Sequence, residues 1–156
     1  LEAREIDRLS EVGASLIHCP TSNTFIGSGL FDMEDLTSRS LKVGLASDIG
    51  GGSSFSMLRT MAGAYEVAQL KGLALHPSQL MWLATQGSAK ALHLDNQIGN
   101  IAPGMAADLV VLDLSSTSII SQRSARANDV WEELFPTIMM GDDRAIAATY
   151  VAGKKI

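Results

Sequence analysis

Two short apolar runs, ASLIHC at residues 14–19 and KVGLAS at residues 42–47, are separated and followed by segments of helical periodicity. This alternation constrains the fold more than any other feature of the chain. Strands buried on both faces read as nearly continuous apolar runs, and such strands alternating with helices belong to a parallel sheet covered by helices. The first run stops at Pro20, which cannot donate to a sheet ladder. The second ends on one acid, Asp48, followed after Ile49 by Gly50, Gly51 and Gly52.

The other elements follow from spacing. Ile6, Leu9 and Val12 recur at helical intervals from residue 2, and Gly13 stands where a left-handed C-terminal cap belongs. Residues 20–30, PTSNTFIGSGL, are expected to form a loop, and residues 32–39 a short helix. A long helix is expected over residues 54–71, with Met57, Leu58, Met61, Tyr65 and Ala68 on one stripe. Pro77 opens another that runs to about residue 92.

Beyond it, Gly99, Pro103 and Gly104 punctuate short β runs, and the closing strand turns at Ala152 and Gly153. Residues 127–140, ANDVWEELFPTIMM, read as a helix interrupted at Pro136. The expected organisation is an α/β unit over residues 1–94 and β structure with a helical insertion over residues 95–156.

With 156 residues, 46% of them hydrophobic, the chain can bury a substantial core in one domain. No apolar run approaches the roughly 18 residues that span a bilayer, so a soluble protein without membrane partners is expected. A net charge of −5, with no basic cluster interleaved with aromatics, argues against nucleic acid as a partner. Cys19, the one cysteine, forms no internal disulfide, which fits a reducing, cytoplasmic compartment. The chain opens at Leu1 directly into a helical pattern, and a fragment is expected.

In parallel α/β sheets, ligands bind beyond the carboxyl ends of the strands, where loops diverge. Asp48 holds that position on the second strand, and His18 and Cys19 hold it on the first. A carboxylate there serves as metal ligand, general base or both; alternatively it caps the turn by accepting glycine amides. DIGGG can also be read as an anion nest, but it lacks the Lys-Ser/Thr ending of a phosphate loop. His18 reads as a hydrogen-bonded structural group or as a residue facing substrate. Cys19 reads as a small apolar filler or, with a base nearby, a nucleophile.

Thr21, Ser22 and Asn23 have the chemistry of residues that bond their own loop backbone, and GDDR at residues 141–144 reads as a turn. His76 before Pro77 and His93 at a helix end read as structural. No HxH or HExxH pair is present, so no zinc site assembles from local motifs.

IHCPTSN followed by VGLASDIGGGSSFSML resembles the last two barrel strands of the amidohydrolase superfamily, in particular its guanine deaminase family. IGNIAPGMAADLVVLD is similar to that superfamily's return to its small β domain, and GDDRAIAATYVAGKKI to the family's C-terminus. The resemblance implies a fold: the C-terminal part of a (β/α)8 barrel, with its last two strands and helices, plus part of a small β-sandwich domain. It also implies a zinc-dependent hydrolysis of guanine to xanthine and ammonia in purine breakdown.

By motif match, Asp48 would be the eighth-strand zinc ligand and a proton carrier for the attacking water. His18, Asn23 and Ser54 would lie near substrate. The other zinc ligands, the catalytic glutamate and the residues that recognise the purine fall outside these 156 residues, so the chain alone is expected to be inactive. It is expected to form a homo-oligomer or to associate with the missing N-terminal part. The resemblance departs at His93, where the family has glycine after the helix. Two other readings remain: an amidohydrolase acting on a related purine or a triazine, and a non-catalytic folding or assembly module.

Overall fold

The computed structural model describes all residues, Leu1–Ile156. Helix α1 (Ala3–Glu11) leads into β1 (Ser15–His18), α2 (Pro20–Ile26), α3 (Met33–Ser38), β2 (Lys42–Leu45) and α4 (Met57–Leu70). Strands β1 and β2 pair in parallel, in register from Ser15 with Lys42 to His18 with Leu45. The expected alternation and parallel pair are therefore present. Gly13 carries the left-handed conformation expected after α1, at φ 66°.

Residues 20–26 correct one expectation. They form a helix and not a loop, with Pro20 at its first turn and Gly27 left-handed at its C-terminal end. A proline that cannot continue a strand has a φ already suited to a helix start. The same residue both ends β1 and begins α2.

Helix α5 (Pro77–Trp82) begins at the expected proline, capped by the His76 side chain, which accepts the Ser78 amide. It passes through one wide π turn (Leu83–Gly87) into α6 (Ser88–Ala91). The turn brings Ser88 onto β2. Its hydroxyl accepts the Leu45 amide at 3.0 Å and lies 2.8 Å from the Leu83 carbonyl, to which it donates. Gly44 permits this approach, since a Cβ there would lie 2.8 Å from the Ser88 Cα. His93 follows α6 at φ 59°, the left-handed position at which glycine is the easier residue.

After α6, β3 (Leu109–Leu112), α7 (Ser118–Ser124), α8 (Val130–Met140), a 3₁₀ turn (Asp143–Ala145), β4 (Ile146–Val151) and β5 (Lys154–Lys155) complete the chain. The last three strands form an antiparallel sheet in the order β3-β4-β5. Ala152 and Gly153 turn between β4 and β5 with φ of 49° and 76°, as a two-residue hairpin turn requires.

Helix α8 runs through Pro136 without interruption, contrary to expectation. Proline removes one amide donor there, but Leu134, Thr137 and Ile138 around it are buried, and that burial holds the helix together. One apolar cluster joins Val43 and Leu45 of β2, Leu58 and Met61 of α4, Leu80 of α5, and Leu134 and Ile138 of α8. A smaller one gathers Ile6, Leu36 and Leu41. No helix is long and apolar enough to cross a membrane.

Candidate functional site around Asp48

Asp48 stands three residues past the end of β2, exposed, with a left-handed backbone at φ 48°. Aspartate tolerates that conformation better than most residues. Its backbone carbonyl accepts the Gly51 and Gly52 amides at 3.1 and 2.6 Å. The glycine amides are thus bound by the main chain of Asp48 and leave its carboxylate free.

The carboxylate meets Ser22. The serine hydroxyl donates to Asp48 Oδ2 at 2.6 Å, the short distance of a hydrogen bond to an ionised acceptor. Beside it, the Thr21 hydroxyl donates to the Ser47 carbonyl at 3.4 Å. Thr21 and Ser22 therefore reach across to the end of β2 and do not bond their own backbone as the sequence suggested. Their placement follows from α2, which begins where β1 ends and so lies beside the loop after β2.

The glycines fit around this pair. A Cβ on Gly51 would stand 2.8 Å from Ser22 Oγ and 3.3 Å from Asp48 Oδ2. One on Gly52 would overlap the Ser47 carbonyl. Only a backbone without side chains fits there.

His18 is 2% exposed, with its ring stacked on Phe31 at a centroid distance of 4.4 Å. Its Nδ1 is buried without a hydrogen-bond partner. Burial lowers its pKa from 6.5 to about 4, so the ring is neutral at pH 7. Cys19 is half-buried, and burial, with the nearby Asp48 charge, raises its thiol pKa. A thiol held protonated in this way is a poor nucleophile.

Asn23 is half-buried on α2 and lines a cleft of about 370 Å³ with Leu1, Phe31, Asp32 and Lys71. Ser54 accepts the Ser56 amide at 3.1 Å ahead of α4. A second cleft of about 580 Å³ lies between Tyr65, His76, Arg123, Arg126 and Trp131. Asp48 lines neither cleft. No group of three or more His, Cys, Asp or Glu residues is arranged to hold a metal ion. Asp48 Oδ1 accepts no hydrogen bond, so one carboxylate oxygen is open to serve as a single donor.

The profile of the Amidohydrolase family matches residues 1–156, and the chain belongs to that family. Guanine deaminase of Escherichia coli is 44% identical over 156 residues, an alignment covering 100% of this chain and 36% of that protein. The solved structure of E. coli guanine deaminase superposes with a TM-score of 0.97, again over 100% of this chain and 36% of the other. A guanine deaminase from C. acetobutylicum, solved with guanine bound in its active site, matches at 0.85 with 27% identity, over 100% and 37%. An adenosine deaminase from Xanthomonas campestris with bound zinc matches at 0.82 with 27% identity, over 99% and 34%. The chain spans about a third of the length of the curated relatives it matches. The resemblance to guanine deaminases drawn from the motifs is borne out along the whole chain.

Proposed function

We propose that this chain forms the C-terminal third of a zinc-dependent guanine deaminase, which hydrolyses guanine to xanthine and ammonia in the cytoplasm. The observation that carries the reading is 44% identity to E. coli guanine deaminase along all 156 residues. In this reading β1 and β2 are the last two strands of a (β/α)8 barrel, with residues 1–94 its C-terminal part. Residues 95–156 then belong to a small β-sandwich domain. A complete barrel takes about 250 residues, so the remaining strands come from outside this chain.

Asp48 is the residue assigned to the chemistry. It would supply one oxygen donor to zinc, which needs about three protein ligands at a catalytic site. The metal, when bound, makes water nucleophilic near neutral pH. In this reading the Asp48 carboxylate would also take a proton from the attacking water and pass it to the purine or to the departing ammonia, with Ser22 bonded to Oδ2. His18, neutral and buried, and Asn23 and Ser54, on the flanking segments, are assigned to the surroundings of the substrate. Exposed apolar residues such as Phe25, Phe55 and Ile101 support association with the missing N-terminal part or with a second copy.

The test is expression of the longer protein and of the 156-residue chain side by side. The longer protein is expected to hold zinc and release ammonia from guanine, and Asp48→Asn to lower that rate by about a thousandfold. The chain alone is expected to do neither. Stoichiometric zinc and ammonia release from the chain alone would overturn the shared-site assignment. Preference of the longer protein for another purine, such as the substrate named for the X. campestris neighbour, or for a triazine would replace guanine.

A further inference from the structure

We propose that Ser22 is the positioning residue of the Asp48 carboxylate, fixing which of its two oxygens is offered to the metal. The inference rests on the deaminase reading for the role of Asp48, and on geometry for the role of Ser22. Three observations lead to it.

The first is the disposition of the serine hydroxyl. The hydroxyls of Thr24, Thr37 and Thr85 turn back along their helices to the carbonyl four residues earlier, those of Pro20, Met33 and Met81. Ser22 does not: its hydroxyl bonds to Asp48 Oδ2, 26 residues away in the chain. The second is burial. Ser22 is 1% exposed whereas Asp48 is exposed, so the donor is fixed by packing and the acceptor is the group free to rotate. The third is the wall beside the pair: Gly51 lies so close that any side chain there would strike Ser22 Oγ.

A free aspartate rotates about two side-chain bonds and presents either oxygen. One charge-assisted hydrogen bond from a buried, rigid donor selects a rotamer, holds Oδ2 and directs Oδ1 outward. Groups that orient a metal ligand from behind are typically worth about 10–100-fold in metal affinity or activity. The loss expected for removing the hydroxyl falls in that range.

The experiment uses the longer protein and measures zinc affinity by chelator competition, together with kcat and KM for guanine. Ser22→Ala is expected to weaken zinc binding about tenfold and to lower kcat by about 10–100-fold, with KM changed less than threefold. Ser22→Cys, of similar size but with a weaker donor, is expected to fall between the two and guards against a folding defect in the alanine variant. In an Asp48→Ala background, Ser22→Ala is expected to change zinc affinity less than twofold, because the hydroxyl acts through the carboxylate.

An equal loss in both backgrounds, or unchanged zinc affinity in Ser22→Ala, would overturn the proposal. Failure of the longer protein to release ammonia from guanine would sink the deaminase reading alone, since zinc competition still reports the coupling. A longer protein that binds no zinc would overturn the metal role of Asp48 on which the proposal rests, and the unaltered protein shows this before any variant is made.

Discussion

Strands β2 and β3 are both four residues long and both largely apolar, KVGL against LVVL, yet they occupy opposite environments. Leu45 in β2 is 5% exposed, whereas Val111 in β3 is 47% exposed. The difference lies in what covers them. Helix α4 and the α5-α6 segment close over β2, and the Ser88 hydroxyl accepts the Leu45 amide. Strand β3 has β4 beside it, with valine side chains left in the open. Apolar composition makes a strand buriable; the neighbouring elements decide whether it is buried. The loop after β2 therefore leaves from a rigid base, which a site residue such as Asp48 requires.

The turns at the ends of the two sheets differ in the same way, and this gives the largest expected contrast. Gly52→Ala places a methyl group on the Ser47 carbonyl, in a loop tied to Ser22 and Asp48. A loss of about 4 kcal/mol is expected. Gly153→Ala meets only the Ala107 methyl at 3.7 Å, and its cost is the left-handed φ of 76° alone, about 1 kcal/mol. Urea denaturation of both variants checks the order. Equal losses would show that the loop after β2 adapts as easily as a hairpin turn.

A smaller contrast comes from the strands themselves. Leu45→Ala is expected to cost about 3 kcal/mol through the cavity it leaves in the main cluster. Val111→Ala is expected to stay within about 0.5 kcal/mol. If the two matched, β3 would be buried in solution by something beyond this chain, and the comparison would be redrawn around an interface.

The last contrast is in pH dependence, and it belongs to the β1 end of the parallel pair. The His18 pKa is about 4 when folded and near 6.5 when unfolded, so between these values the unfolded chain binds the extra proton. Stability from this group is fully present above pH 6.5 and is lost as pH falls towards 4, by up to about 3 kcal/mol. His18→Phe, which keeps the stack on Phe31, is expected to flatten that part of the profile. Superimposable profiles for the two proteins would show that the ring is solvated and free to ionise when folded.

Much of the α/β half was legible because its signals are local. Proline and glycine punctuated α1, α5 and the final hairpin, and apolar runs without alternation marked β1 and β2. The failures share a cause. Pro20 does end the strand, but the loop expected after it and the interruption expected at Pro136 are both helix. A proline's effect depends on whether it sits in a first turn or a buried helix interior, which packing decides. The π turn before Ser88 is invisible to periodicity, since one extra residue barely disturbs a short amphipathic pattern. Helix α7 lies in a stretch to which spacing and punctuation assign no element.

At the site, Asp48 and the glycines were found from one contiguous stretch. Ser22 reads in the sequence only as a loop-bonding residue, because its partner lies 26 residues away and only the meeting of α2 with the loop after β2 joins them.

The sequence by itself determined the parallel order of β1 and β2, the position of Asp48 beyond the second strand and the resemblance to amidohydrolases, since each is written in neighbouring residues. Only the tertiary structure decided that residues 20–26 are a helix and that Ser22 holds Oδ2. It also showed why Gly51 and Gly52 admit no side chain. These depend on distances between segments that are remote in the chain, and the short-range preferences of the backbone do not specify such distances.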